Sequence, residues 1–279
     1  MNYKTVLVHV DQSRPSATRL RVAAQLAKQH TAHLVGAAMT GISRFIFESG
    51  GFNPDDPVFA HQLEHLHQYA RKGLAQFDRI ANESGVDSIE ARLVDDDAAG
   101  GMALHARYAD LAVLGQFDPS ESLPGLMSNF PEYVMLNSAC PVLVLPFAGE
   151  FNGKFSRPLL AWDGSQQASR AVAGALPILR QAALVDVVVF NPESGSDAHG
   201  EQPGTDLALY LARHGIKVNV IQRRISIDVG NALLSLTTDL GSDLIVMGAY
   251  GHARFREVVL GGATRTILFS MTLPVLMAH

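Results

Sequence analysis

The sequence predicts an α/β protein built as two doubly wound parallel-sheet domains in tandem. Three observations predict it. Near-continuous Val/Ile/Leu runs alternate with helix-like stretches, the pattern of strands covered by helices on both faces. The chain also matches itself: Ala109-Asp-Leu-Ala-Val-Leu-Gly115 matches Ser242-Asp-Leu-Ile-Val-Met-Gly248 without a gap, an offset of 133 that also carries Pro141 onto Pro274. Finally, 279 residues of which 47% are apolar suffice for two cores.

Near the two starts the match is looser and the offset is 152, the step from Asp11 to Asp163. The change of offset places extra residues in the first half. Gly41 to His61, with Gly50-Gly51 and Asn53-Pro54 as turn signals, is the expected insertion. The boundary falls within 147–156, so the expected domains are residues 1–148 and 155–279.

In the second half, Leu159–Trp162 reads as a strand leading to a helix over Gln166–Ala182. A strand at Val185–Phe190 precedes a helix at Asp206–Arg213, and a strand at Lys217–Gln222 precedes a helix at Val229–Leu240. The strand Leu244–Met247 leads to a helix over Thr264–Ser270, and Pro274–Met277 closes the half. In the first half Phe59, Leu63, Leu66, Ala70, Leu74 and Phe77 recur at helical spacing, a core-facing or partner-facing stripe. His61 and His65 stand one turn apart, but with no third ligand they read as a solvated face. Asp95-Asp96-Asp97 reads as a helix start, where acids are favoured.

Gly248-Ala-Tyr-Gly251 leaves a buried strand, and Gly261-Gly262-Ala263-Thr264 opens a helix. Glycines let the backbone bend and let a ligand approach, and the free N–H groups of a helix start favour an anion. This is a phosphate cradle, and it predicts a nucleotide binder. The net charge of −5 argues against nucleic acid as the partner. No apolar run is long enough to span a membrane. A lone cysteine, Cys140, and a start without a leader pattern fit a cytoplasmic protein.

A strand ending in Asp163-Gly-Ser165, then Asp243-Leu-Ile-Val-Met-Gly248, the glycines at 248, 251 and 261, and Pro-Val-Leu near the end together resemble the universal stress protein family. The resemblance covers both halves, so the chain looks like a tandem form with two adenine nucleotide alpha hydrolase-like domains. It implies ATP, ADP or AMP as ligand, with Mg as the accompanying ion. It implies adenine and ribose near Asp163, Ala161 and the residues around the first glycine, Met247 and Gly248, and phosphates on the later glycines Gly251, Gly261 and Gly262 with Ala263 and Thr264. Arg254 is the expected cationic contact, with His252 a weaker one. This chain departs from the family pattern at Gly262, where Ser or Thr is usual, and at Tyr250, where His is common. The resemblance also implies that the two Pro-Val-Leu strands pair inside one chain as a pseudo-dimer, with a further homodimer open.

The first half has lost the cradle. With the offset of 133, Gly251, Gly261, Gly262 and Thr264 become Asp118, Ser128, Asn129 and Pro131. Residues 248–265 carry Arg254, Arg256 and Arg265 against Glu257, whereas 115–132 carry Asp118, Glu121 and Glu132 with no Lys or Arg. One site per chain is expected, in the C-terminal domain. P-loop and Rossmann glycine patterns are absent, and no general base can be assigned. The expected role is a nucleotide-dependent sensor or regulator. A slow ATP-hydrolysing or adenylyl-transferring enzyme, or an assembly scaffold with an empty cradle, are the alternatives.

Overall fold

A computed structural model describes residues 2–42, 57–121, 127–192, 204–250 and 262–279. The chain divides into two compact units, one holding Asn2–Cys140 with Glu150–Lys154, the other Pro141–Gly149 with Phe155–His279.

The first unit runs β1 (Thr5–His9), α1 (Ser16–His30), β2 (His33–Met39), α2 (Pro57–Glu83), β3 (Ile89–Val94), α3 (Ala98–His105), β4 (Leu111–Gly115) and α4 (Phe130–Asn137). Its strands lie in the order β3-β2-β1-β4, all parallel. Val6, Leu7, Val8 and Leu111 to Leu114 are buried, as strands roofed on both faces require. Ala70, Leu74 and Phe77 are buried on α2, the apolar stripe read from the sequence, while Leu63 and Leu66 are half-buried. Asp97 caps α3, its carboxylate accepting the Gly100 N–H at 2.8 Å. His61 and His65 are exposed, and no group of three metal-ligating side chains occurs among the described residues.

The second unit adds β5 (Val142–Leu145) to β6 (Pro158–Ala161), α5 (Gln166–Leu179), β7 (Val185–Phe190), α6 (Thr205–Arg213), β8 (Val218–Arg223), α7 (Val229–Leu240), β9 (Leu244–Gly248), α8 (Gly262–Ser270) and β10 (Val275–Ala278). Its strands lie in the order β5-β10-β9-β6-β7-β8. All pairs are parallel except β10 with β5, which is antiparallel with Leu276 opposite Leu143. Helix α5 stops three residues short of the expected end. The Gln181 and Ala182 N–H groups bond back to Ile178 and Leu179, closing it with tighter turns. Helix α8 starts two residues earlier than expected, at Gly262. Glycine is a poor helix interior residue, but first-turn N–H groups have no helical partner to lose.

Both sequence offsets reappear as hydrogen-bond register. Val6 pairs with Leu111 in one half, and Pro158 with Leu244 in the other. Asp110 accepts the Thr5 N–H at 2.9 Å, and Asp243 accepts the Arg157 N–H at 3.0 Å. The extra residues of the first half lie between β2 and β3: Leu34 pairs with Ile89, whereas the equivalent Asp186 pairs with Asn219.

Candidate functional site

Chain direction fixes where a ligand can enter. From β6 the chain winds outward through β7 and β8, whereas β9 and β10 lie on the other side. Strand order therefore reverses between β6 and β9, and the crevice outside the carboxyl ends at such a switch point is where open α/β sheets receive ligands. The two strands are hydrogen-bonded neighbours, with Leu160 opposite Val246. Ala161 and Asp163 leave one, Met247 and Gly248 the other, so the structure brings these four predicted residues to one strand-end region.

Asp163 is exposed, and its carboxylate accepts the Ser165 N–H at 3.0 Å. Ser165 in turn caps α5 by accepting the Ala168 N–H at 3.1 Å. This short turn ends the strand, starts the helix and points an acceptor at solvent. Gly248 lies under the same helix. A Cβ there would stand 2.5 Å from the Ala168 nitrogen, a backbone atom that cannot swing aside. Only glycine lets α5 sit this close to the end of β9.

Beyond Gly248 the backbone turns. The Ala249 N–H bonds to the Ala278 carbonyl at 2.9 Å, and Tyr250 adopts a left-handed φ of 56°. That φ is uncommon for a residue with a side chain. The Tyr250 N–H donates to the Thr264 hydroxyl at 3.3 Å, and Thr264 is buried. Thr264 thus joins the strand exit to the first turn of α8. Gly262 is exposed at the start of α8, Ala263 is half-buried, and Asp228, which caps α7, has its carboxylate nearest to Gly262. Gly251, Arg254 and Gly261, with His252, lie outside the described residues.

The first half has the same crevice at the carboxyl ends of β1 and β4, with different contents. Asp11 makes the same turn as Asp163, accepting the Ser13 N–H at 3.0 Å. It is also paired with Arg19, whose Nη2 donates to Oδ1 at 2.6 Å. Arg19 is only 2% exposed, and its Nε donates to the His9 carbonyl at 2.9 Å. Burial raises the Asp11 carboxyl, but Arg19, His9 and the Ser13 hydroxyl and N–H outweigh it and hold the group well below the usual carboxylate range. Burial drives the neighbouring His9 imidazole down to about 4, against the pull of Asp11. Sequence reasoning missed Arg19. The signal was present, since the offset of 152 sets Arg19 against Ala171.

Each half is thus an open, doubly wound α/β sheet with a crevice at its topological switch point, the class of fold that receives ligands at strand ends. The universal stress protein family model matches residues 2–146 and again 154–279, and the chain belongs to that family. A universal stress protein of Synechocystis sp. is 26% identical over 233 residues, covering 77% of this chain and 75% of that one. A universal stress protein of Archaeoglobus fulgidus has the same fold, with a TM-score of 0.74 at 17% identity over 98% of this chain and 95% of its own. A putative universal stress protein of Pseudomonas aeruginosa aligns with a TM-score of 0.62 at 16% identity over 98% and 92%. No helix among the described residues is long and apolar enough to cross a membrane.

Proposed function

We propose that this chain binds ATP, or a related adenine nucleotide, in the crevice of residues 155–279, and that occupancy selects the conformation it presents as a cytoplasmic sensor or regulator. The N-terminal domain, 1–148, binds no nucleotide in this reading. One observation carries it: of two equivalent crevices, only the C-terminal one leaves its strand-end aspartate exposed beside a glycine strand exit and an exposed helix start. Asp163 offers an acceptor to a ribose or adenine donor, and the first-turn N–H groups at Gly262 and Ala263 offer donors to phosphate. Charge-assisted hydrogen bonds of that kind contribute about 1.5–3 kcal/mol each. In this reading the sequence spacing assigns Arg254, Gly251 and Gly261 to the same cradle.

Titration calorimetry with ATP, ADP and AMP tests this, with and without Mg. One site per chain is expected. Asp163→Ala should weaken binding at least tenfold, and Gly261→Glu should abolish it while the fold persists. Ser128→Glu, the same change in the first half, should leave binding intact. Two equivalent sites, or none, would refute the reading. Turnover well above background that is lost in Gly261→Glu would make the protein an enzyme instead.

A further inference from the structure

We infer that Arg19 is a built-in occupant of the N-terminal crevice, closing it to any nucleotide and making that half's fold independent of ligand. The guanidinium meets three walls of the crevice. Its Nη2 holds the Asp11 carboxylate at 2.6 Å and lies 3.5 Å from the Ser16 hydroxyl, and its Nε holds the carbonyl of His9, the last residue of β1. Its Nη1 lies against Gly115, the last residue of β4, where a Cβ would stand 2.5 Å away. Asp11 and Gly115 are the equivalents of Asp163 and Gly248, the two strand ends that flank the C-terminal crevice. The pair that would frame a ligand is instead bridged by a cation of the chain itself. Little enclosed space is left beside it: the solvent-open hollow between His9, Asp11, Arg19, Gly115 and Phe130 has room for about one water, ≈ 10 Å³, and Asp118 and Glu121 also line it.

The C-terminal half shows why this is a substitution of parts and not a general feature of the fold. The residue equivalent to Arg19 is Ala171, fully buried on α5, which cannot reach Asp163. There the helix backbone itself lies on Gly248. The same short aspartate turn occurs in both halves, so beside the strand-end aspartate the difference rests on one side chain. A buried carboxylate without a partner is strongly disfavoured, and Arg supplies that partner with fixed fork geometry. The first half thereby carries internally what a bound molecule would have to bring. The inference rests on the one-site reading above only in leaving the C-terminal crevice as the open one.

The full-length chain is melted as wild type, Arg19→Ala and the double variant Asp11→Asn/Arg19→Met, each with and without millimolar methylguanidinium. Arg19→Ala should melt several degrees lower, since it strands Asp11. Methylguanidinium should recover part of that loss at a concentration that leaves wild type unmoved. The double variant, with no charge to strand, should melt above Arg19→Ala. Equal melting of Arg19→Ala and wild type, or an equal response of both to methylguanidinium, overturns the inference. Should Arg19→Ala not fold, hydrogen exchange on wild type decides. Saturating ATP should leave amides 9–19 and 111–116 unchanged, and protection there overturns it. Loss of the C-terminal reading shows separately, as no ATP protection at 161–168 and 247–250.

Discussion

At the scale of single residues, two side chains carry measurable consequences. His9 is buried against Phe130, ring centroids 4.8 Å apart, with Asp11 and Arg19 as its charged neighbours. Burial drives its imidazole down to about 4, whereas an unfolded histidine titrates near 6.5. Below about pH 6.5 the unfolded chain takes up a proton that the folded chain refuses, so stability falls as pH drops towards about 4. Each pH unit of that gap is worth about 1.4 kcal/mol, so the loss reaches about 3 kcal/mol at most. His30, buried with neither ring nitrogen hydrogen-bonded, adds a slope of the same sign. Urea midpoints measured from pH 7 to 4 should therefore fall for wild type and flatten, without becoming level, in His9→Asn. An unchanged slope in the variant would place the titrating group elsewhere. Gly248→Ala makes a second case. Its methyl would meet the Ala168 nitrogen at 2.5 Å, and such overpacking costs about 1–3 kcal/mol. The melt should drop accordingly without any ligand present. At this scale the positions of Asp163 just after β6 and Gly248 at the end of β9 were legible in the apolar runs and glycine spacing. The sequence did not disclose that Arg19 lies buried, because a lone Arg on a helix ordinarily faces water.

At the scale of elements, the connections between strands and helices that carry the proposed site are held by short hydrogen-bonded clamps. Val185–Phe190 and Val229–Leu240 are observed over the very residues expected, since Val runs and an Asp cap announce themselves. The clamp between Tyr250 and Thr264 is a tertiary contact across the loop and has no signature in local pattern. It is also absent from the first half, where Pro131 stands at the equivalent of Thr264 and has no hydroxyl. Thr264→Val keeps the shape and removes the acceptor; Thr264→Ser keeps the acceptor. The Tyr250 amide should exchange at least tenfold faster in Thr264→Val and stay protected in Thr264→Ser, both without nucleotide. Equal protection in all three would mean that the hydroxyl does not hold the strand exit. The cap of α7 allows a calibrated comparison. Asp228→Ala removes the acceptor of the Asn231 N–H, a bond of 3.1 Å, and should cost about 1 kcal/mol.

For the whole molecule, duplication was legible because both copies keep their strand-end aspartates and their Pro-Val-Leu strands. Repetition alone could not say which sheet receives the strand at Val142. That strand belongs by contact to the unit of residues 155–279, because β10 is its ladder partner. The ladder has a particular symmetry. Leu143 faces Leu276, its own equivalent under the offset of 133, with Val144 opposite Val275 and Val142 opposite Met277. A strand that pairs antiparallel with its equivalent can pair in the same way with an identical copy of itself. Without β5, β10 presents the unpaired groups of Val275–Ala278, an apolar edge of the kind that seeks a partner. A chain comprising only residues 155–279 should therefore dimerise, with β10 of one copy opposite β10 of the other and Leu276 at the centre. Leu276→Asp should return it to monomer, since two carboxylates would then face each other directly across the ladder. Light scattering over a dilution series reads both outcomes. A folded, monodisperse monomer of residues 155–279 would show that β10 needs no strand beside it.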